Sequence, residues 1–375
     1  MSSGLRVVLV LGIVSLFGDF VYEGGRSVLP DYMRQLGMSA LLVGSVLGFA
    51  ELAGWLARPL GGLMADKTGR FSAIIRAGYA GLVVVPLMAF ARDWLVLALL
   101  VLAERVLRGL RAPARDAMLA RMRGSVGLGT AFGLHEFLDQ FGATAGPLLA
   151  AVVLALYRNT GLALLSLLIP YLLLLIVLLR VPEYSEPPQR LSHARPTRQV
   201  YLFSLVVGLN AAGLLPLPII LYLVSQAAGA GSWLVPAAYT VAMIVDAAVA
   251  PALGRAFDRL GPIVLAFSIA LSAVPCLLVG ENVSLLMISA GVLGVVISSQ
   301  ESIYRAMVAH LAKSSGLGSS YALYGLSLGG GGAAAGLVFG FMVDLGLGIP
   351  LLLSYSAAAQ ALALAIFFKA IRKSG

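Results

Sequence analysis

Long apolar runs joined by short polar connections make up the chain from one end to the other. A helix needs about 20 mostly apolar residues to cross a bilayer, and twelve such segments can be drawn. The predicted spans cover residues 5–36, 39–64, 71–91, 94–122, 126–157, 161–181, 199–225, 232–256, 262–281, 283–312, 318–345 and 348–371. The pattern predicts an all-α polytopic membrane protein with 12 transmembrane helices.

The longest polar stretch, residues 182–198, reads PEYSEPPQRLSHARPTR. Its prolines and charges are typical of a linker and not of a helix. Six predicted spans precede it and six follow it. We therefore expect an N-terminal six-helix bundle over residues 1–181, a cytoplasmic linker over residues 182–198, and a C-terminal six-helix bundle over residues 199–375.

Loops at equivalent places in the two bundles share the pattern G-x-x-x-D-[KR]-x-G. The matching residues are Gly62, Asp66, Lys67 and Gly69 in the first bundle, and Gly254, Asp258, Arg259 and Gly261 in the second. Small residues also repeat in the fifth and eleventh spans, as the pairs Gly142 and Gly146, and Gly332 and Gly336. Matching positions are about 190 residues apart, so the bundles are predicted to be structural repeats.

Composition narrows the class of protein further. Hydrophobic residues make up 60% of the chain and charged residues 11%, whereas about a quarter of the residues in soluble domains are charged. The net charge is +9, but basic residues lie in short loops and form no patch, so no nucleic-acid partner is expected. The single Cys276 excludes a disulfide framework and a cysteine metal site. No nucleotide-binding motif is present, so we expect neither a cofactor nor an ATP-driven pump.

Basic loop residues predict the orientation in the membrane. With a cytoplasmic N-terminus, the outer side keeps only Arg34, Arg92 and Arg158. The inner side collects Arg6, Lys67, Arg70, Arg121, Arg123, Arg190, Arg195, Arg198, Arg255, Arg259, Lys313, Lys369, Arg372 and Lys373. This asymmetry predicts a multi-pass protein of the cell membrane with both termini cytoplasmic.

The first loop motif resembles the signature of the major facilitator superfamily, G-x-L-A-D-[RK]-x-G-R-[RK]. Arg70 extends the match, whereas Met64 and Phe71 depart from it. The segment Arg105-x-x-Arg108-Gly109 is similar to the fourth-helix motif of that family. The resemblance implies two pseudo-symmetric six-helix bundles and transport by alternating access. We expect a monomer whose partners are the lipid bilayer, a small-molecule substrate and protons.

The fifth span resembles a helix motif associated with antiporters in the same family. The matching residues are Gly142, Gly146 and Pro147, and the two glycines that usually follow are Ala150 and Ala151 here. The resemblance favours efflux. These small residues and the proline are also predicted to serve helix packing or bending.

The resemblance implies a gating role for the loop aspartates. In this family the loop signature holds the cytoplasmic side closed, so Asp66 would pair with an arginine at the end of span four. Arg111 and Arg115 are the candidates, and Asp258 would be the weaker partner in the second bundle. A plain tight turn with solvated charges is the alternative.

Span one carries Asp19, Glu23 and Arg26 inside its apolar run. An ionisable residue costs about 3 kcal/mol at the bilayer centre, so each is expected to have a function or a partner. At about 100° per residue, the three lie on one helix face. Burial and like charge favour the protonated form of a carboxyl group, so Asp19 and Glu23 are candidate proton carriers. A static ion cluster is the alternative.

Other polar residues inside the predicted spans extend this set. The proton-coupling or substrate candidates are Asp19, Glu23, Arg26, Glu51, Arg105, Arg108, His135, Glu136, Asp139, Asn210 and Glu301. His135 and Asp139 are one helical turn apart, which suits a proton relay or a cation site; a salt bridge to span four is equally compatible. Because buried charge is sparse in the second bundle, we expect the first to hold the proton site. Pro216 and Pro218 are predicted to kink span seven.

These features favour a proton-coupled secondary transporter that moves a small organic solute. Uptake of an anionic metabolite, anchored by the arginines of spans one and four, is an alternative. Export of a divalent metal ion through the buried acids and His135 is another. A membrane-embedded enzyme is not expected, because no serine or cysteine nucleophile accompanies His135 and Asp139. A non-transporting sensor of the same fold remains as a further hypothesis.

Overall fold

Twelve helical segments form the structure, a computed structural model that describes residues 3–121, 128–184, 195–312 and 316–371. No strand occurs within these ranges. The segments are α1 Ser3–Gln35, α2 Ala40–Thr68, α3 Phe71–Phe90, α4 Trp94–Arg121, α5 Leu128–Tyr157, α6 Thr160–Leu178, α7 Arg198–Ala228, α8 Leu234–Leu260, α9 Ile263–Leu277, α10 Val283–Ala312, α11 Leu317–Asp344 and α12 Ile349–Ile371. The predicted all-helical class is confirmed.

Ten segments of the described chain are long and apolar enough to cross a membrane. Segment α4 is long enough but carries a run of charged residues from Glu104 to Asp116. The apolar helix in α9, Ile263–Leu277, is shorter than a usual span. The structure therefore supports a polytopic fold, and the count of twelve spans remains a prediction.

Segment α7 is interrupted between Ala212 and Leu217. Pro216 precedes its second part and Pro218 lies in the first turn of that part. Proline is tolerated there because the first-turn N–H groups have no partner within the helix. The predicted irregularity of span seven is present, and its use as a hinge remains a prediction.

The described helices belong to two compact units. Unit 1 contains Met1–Tyr32, Ala53–Leu191 and Gly231–Ala237, and unit 2 contains Met33–Leu52, Ser192–Ala230 and Ala238–Gly375. Segment α2 thus contributes its first part to unit 2 and its second part to unit 1. Most of the predicted linker, residues 185–194, lies outside the described ranges, so the predicted boundary stays a prediction.

In unit 1, α1 and α5 cross with their backbones in contact. A Cβ atom on Gly142 would lie 2.1 Å from the carbonyl oxygen of Leu16, and one on Gly146 would lie 2.2 Å from that of Phe20. Small residues allow membrane helices to approach this closely. The contact explains the pair of glycines in the fifth predicted span.

In unit 2, α7 and α11 cross in the same way. A Cβ atom on Gly331 would lie 2.3 Å from the carbonyl oxygen of Gly208. A Cβ atom on Gly332, the position that the sequence pattern matched to Gly142, would have no neighbouring atom within 4 Å. Gly336 instead faces α2, where its Cβ would lie 2.2 Å from the carbonyl oxygen of Gly44. The repeated contact therefore uses the glycine one residue before the matched position.

The two loop motifs close their helices with the same geometry. Gly69 follows the end of α2 with φ +66°, and Gly261 follows the end of α8 with φ +70°. Each glycine N–H donates to a carbonyl oxygen four residues earlier, of Ala65 and of Phe257, at 2.8 Å. Only glycine adopts this left-handed conformation at low cost. The last glycine of the shared pattern is thus a helix-ending residue in both repeats.

Asn210 forms the centre of a polar network in the core of unit 2. Its amide nitrogen donates to Gln360 Oε1 at 2.8 Å and to Ser272 Oγ at 2.9 Å. Its Oδ1 accepts from Gln300 Nε2 and from the Tyr304 hydroxyl, each at 3.2 Å. The network joins α7, α9, α10 and α12. Protein groups thus use both ends of the Asn210 side chain, and its predicted role at a substrate site remains a prediction.

We expect Gly146→Ala to lower the free energy of unfolding by about 1–3 kcal/mol, because the new methyl group would overlap the backbone of α1. Gly133→Ala is the matched control in the same helix, since a Cβ there meets nothing within 4 Å. That change should leave stability unchanged or raise it by up to about 1 kcal/mol. Thermal unfolding of both variants in detergent measures the difference. Equal effects would contradict the packing described for α1 and α5.

We expect Asn210→Ala to lower the free energy of unfolding by about 2–4 kcal/mol, because buried donors and acceptors on three other helices would lose their partner. Asn282→Ala is the control. Asn282 is exposed and accepts a hydrogen bond only from the start of α10, from Ser284 N at 2.9 Å, so its loss should cost about 1 kcal/mol. Detergent melting curves compare the two. Normal stability with loss of solute binding in Asn210→Ala would assign Asn210 to a substrate site.

Candidate functional site

In unit 1, three guanidinium groups lie close to the ring of Tyr22 on α1. The guanidinium carbon of Arg108 lies 3.8 Å from the ring centroid, that of Arg105 lies 4.8 Å away, and that of Arg26 lies 5.2 Å away. Arg26 is one turn along α1 from Tyr22, and the other two come from α4. The face of an aromatic ring attracts cations, so the tyrosine holds the arginines of two helices together.

Two carboxylates accompany these three arginines. Glu23 lies 3.5 Å from Arg26 and 3.9 Å from Arg108, measured between side-chain nitrogen and oxygen. Glu104 forms an ion pair with its neighbour Arg105. Arginine and carboxylate groups buried in an apolar surrounding are stable only when paired. Span four therefore pairs with span one through Arg108 and Glu23.

A second group of polar residues continues the cluster along α4. The guanidinium of Arg111 lies 4.0 Å from the ring centroid of Tyr79. Arg115 donates from Nη1 to Ser15 Oγ at 3.0 Å and pairs with Asp116 at 3.0 Å. The hydroxyl groups of Ser15 and Tyr79 are 2.8 Å apart. Arginines of α4 thus meet an aromatic ring in both groups, that of Tyr22 on α1 and that of Tyr79 on α3.

Asp19 lies between these two groups and is 5% exposed. The charged residues that act on its carboxylate are Glu23 on the same helix, Arg108 and Arg111 on α4, and Asp139 on α5. Two of them are acidic and two are basic. Asp19 is therefore buried among charged residues of α1, α4 and α5.

The fifth segment contributes Asp139 and His135 to the cluster. Asp139 faces Ser15, Arg115 and His135. His135 is 3% exposed, and its Nε2 has no hydrogen-bond partner in the part of the chain that is described. Glu136 points away and is exposed, and accepts from Gln140 at 3.4 Å. Of the three candidates on α5, two belong to the cluster.

A metal site finds no support in the residues that the structure describes. No group of three or more His, Cys, Asp or Glu side chains converges there in a way that could hold a metal ion. The buried acids of the cluster face arginines instead. Arginine is always charged and supplies no lone pair to a metal.

The remaining candidates lie on α2, α8 and α10. Glu51 is partly buried in the portion of α2 that belongs to unit 2, and Glu301 is exposed near the break in α10. Asp66 is partly buried and Asp258 is exposed. Since Arg111 and Arg115 make the contacts described above, no ion pair joins either to Asp66 among the described residues. The gating role of the loop aspartates remains a prediction.

Sequence reasoning missed several residues that contribute to the cluster. The rings of Tyr22 and Tyr79 lie against guanidinium groups, and Ser15 joins α1 to α3 and α4. Tyr22 could have been identified, because it directly precedes Glu23 and lies four residues before Arg26 in an otherwise apolar helix. Tyr79 and Ser15 give no such signal, because only the tertiary fold brings them to the arginines.

Two further aspartates accept hydrogen bonds from backbone N–H groups. In unit 2, Asp344 accepts from the backbone N–H groups of Ala40 at 2.8 Å and Leu41 at 2.9 Å, so it caps α2. In unit 1, Asp31 accepts from Gly231 N at 3.0 Å. A carboxylate at a helix N-terminus satisfies free N–H groups and the helix dipole. Neither aspartate was among the sequence candidates.

Solved transporter structures share the fold. A crystal structure of the nucleoside transporter NupG aligns with a TM-score of 0.76 at 16% identity, covering 96% of this chain and all of that one. A peptide transporter of the POT type aligns with a TM-score of 0.77 at 14% identity, covering 98% and 94% of the two chains. At this level of identity, the likeness concerns the fold alone.

Relatives were also found by sequence. The protein Rv2265 of Mycobacterium tuberculosis is 35% identical over 364 residues, which covers 92% of this chain and 88% of the relative. The multidrug resistance protein MdtG of Proteus mirabilis is 27% identical over 281 residues, covering 68% and 69% of the two chains. The family model described as Major Facilitator Superfamily matches residues 9–263. The chain is therefore a multi-pass membrane protein that belongs to the major facilitator superfamily of transporters.

Proposed function

We propose that the protein is a proton-coupled secondary transporter that moves a small organic solute by alternating access, with Asp19 as the residue that takes up and releases the proton. The observation that carries the proposal is the position of Asp19. It is buried between two acids, Glu23 and Asp139, and two arginines, Arg108 and Arg111. Membership of the superfamily supports transport in general.

A proton carrier must be stable in both of its charge states. Burial and neighbouring acids favour the neutral carboxyl group, and neighbouring arginines favour the carboxylate. Asp19 has both kinds of neighbour, drawn from α1, α4 and α5. A movement that changes its distance from Arg108 or from Asp139 would therefore change its affinity for a proton. Such coupling between a proton site and a helix movement is what alternating access requires.

The other parts of the proposal rest on the sequence pattern. The positive-inside rule supports cytoplasmic termini, and the repeated loop motif supports twelve spans in two six-helix bundles joined by the linker. The identical ends of α2 and α8 add structural support for the repeat. In this arrangement, the loop aspartates Asp66 and Asp258 would act at the cytoplasmic gate.

Two likenesses favour export as the direction of transport. One is the motif of Gly142, Gly146 and Pro147, which resembles that of antiporters. The other is the similarity to a protein named for multidrug resistance. Direction is separate from proton coupling, because the same buried acid serves either direction.

Proteoliposomes test the coupling directly. Purified protein is reconstituted with a pH-sensitive dye inside, and a solute panel is screened for solute-dependent proton movement. We expect Asp19→Asn to abolish this proton movement, because asparagine has no proton to exchange. Glu23→Gln should weaken it by removing a partner of Arg26 and Arg108.

Asp93→Asn is the matched control for this experiment. Asp93 is exposed and caps α4, accepting from Leu95 N at 2.8 Å, and asparagine caps a helix equally well. Its proton movement should equal that of the wild type. The proposed role of Asp19 would be refuted if solute flux through the wild type were independent of the proton gradient. Unchanged proton coupling in Asp19→Asn would refute it as well.

A further inference from the structure

A groove in unit 1 lies between α3 and α6. Its volume is about 500 Å³, which is within the range of about 300–1,000 Å³ that small-molecule pockets have. One of the residues that line it is charged, Arg76, and the others are apolar. The apolar ones are Ala77, Ala80, Leu175, Ile176, Leu178 and Leu179. The groove therefore combines an apolar wall with a guanidinium group.

The guanidinium group lies at the end of the groove that is near a membrane surface. The segment after α6 is bound to the start of α3, where Ser72 Oγ donates to the carbonyl oxygen of Pro182 at 2.7 Å. Arg76 donates from Nη2 to the carbonyl oxygen of Val181 at 2.5 Å. Both helices are long and apolar enough to cross a membrane, so this end lies near one surface of the bilayer. The apolar wall extends from there into the span, because Ala80 follows Arg76 by one turn.

Arg180 places a second basic residue at the same end of the groove. It directly follows Leu179, which lines the groove, and it precedes Val181, to which Arg76 is hydrogen-bonded. Arg180 is exposed, and no ion pair joins it to another described residue. An anionic group at this end would therefore meet two arginines.

The partner of Arg76 is one that a ligand can replace. Arg76 forms an ion pair with Glu183, whose side chain is 80% exposed, and its own side chain is 33% exposed. Exposed ion pairs contribute little to stability, because water solvates both charges when they separate. A phosphate group in the groove can therefore take the place of the Glu183 carboxylate at low cost.

We propose that the groove binds an anionic phospholipid of the surrounding bilayer, with its phosphate at Arg76 and Arg180 and an acyl chain along the apolar wall. Guanidinium groups bind phosphate oxygens with paired hydrogen bonds. Basic pockets between membrane helices attract anionic headgroups, and the cytoplasmic leaflet carries the anionic lipids. The predicted cytoplasmic position of the start of α3 agrees with that leaflet. This inference goes beyond the proposed function and does not depend on proton coupling.

A lipid matches both parts of the groove at once. A soluble phosphate would occupy only the basic end and leave the apolar wall empty. An apolar helix from a second copy of the chain would cover only the wall and leave the arginines without an anion. Charge and apolar surface together therefore favour the lipid.

Native mass spectrometry of the purified full-length protein tests the binding. Protein in detergent is titrated with phosphatidylglycerol or with phosphatidylcholine of the same acyl chains, and bound lipid molecules are counted. We expect phosphatidylglycerol to bind at least about fivefold more tightly, because its headgroup carries a net negative charge. An excess of glycerol phosphate, the probe for a soluble anion, should not displace it. Equal affinity for the two lipids, or displacement by glycerol phosphate, would overturn the proposal.

Arginine variants assign the effect to the groove. Arg76→Gln and Arg180→Gln should each lower the affinity for phosphatidylglycerol about fivefold and leave that for phosphatidylcholine unchanged. Arg255→Gln is the matched control, because Arg255 is also exposed and lies near the predicted cytoplasmic end of a span, α8. Because Arg180 is exposed, Arg180→Gln keeps the test decisive if Arg76→Gln fails to fold. An unchanged lipid preference in Arg180→Gln, or an equal loss in Arg255→Gln, would overturn the proposal.

Ala77→Trp tests the apolar wall, because the indole would fill part of the groove while both arginines remain. Ala77 is exposed, so the change leaves the core of unit 1 intact. We expect weaker binding of phosphatidylglycerol, and unchanged binding would overturn the proposal. The same spectra report oligomers. A wild-type dimer that Ala77→Trp dissociates would assign the groove to a second copy of the chain and overturn the proposal as well.

Discussion

The compensation of charge inside an apolar unit is the constraint on which unit 1 depends. Segment α4 places a row of arginines along one face, and burial removes much of the water that would stabilise their charge. Acids of α1 and α5 and the rings of Tyr22 and Tyr79 surround these arginines and compensate their charge. Because each arginine touches residues of another helix, the cluster fixes how α1, α3, α4 and α5 pack. The same contacts make the net charge of the cluster sensitive to the gain or loss of a single proton.

The two units use a shared helical frame for different chemistry. Glycine ends α2 and α8 with one geometry, and glycine allows α5 to cross α1 and α11 to cross α7. Inside that frame, unit 1 holds ions and unit 2 holds the neutral network around Asn210. Neutral amide and hydroxyl groups keep their hydrogen bonds at any pH near neutrality, whereas a cluster of ions changes its net charge when one acid gains a proton. The charged cluster of unit 1 is therefore sensitive to pH in a way that the Asn210 network is not.

Much of the fold could be predicted from sequence, because membrane helices follow from the length of apolar runs. The predicted concentration of buried charge on spans one, four and five was also confirmed, since ionisable residues in such runs are rare enough to be noticed. Partners were harder to predict. Tyr79 and Ser15 meet Arg111 and Arg115 only through tertiary packing, and Asn210 proved to be enclosed by its own neighbours. In α11, the glycine that contacts α7 is Gly331, one residue before the position that the sequence repeat matched. The reason is that a sequence repeat does not fix the rotation of a helix about its axis.

The central claim is that Asp19 exchanges a proton within the cluster. Infrared difference spectroscopy of the purified protein between acidic and alkaline buffer observes the carbonyl band of a protonated carboxyl group directly. The account predicts a buried-carboxyl band that appears on acidification in the wild type and is absent from the difference spectrum of Asp19→Asn. A spectrum without such a titrating band, or one that is unchanged in Asp19→Asn, would contradict it.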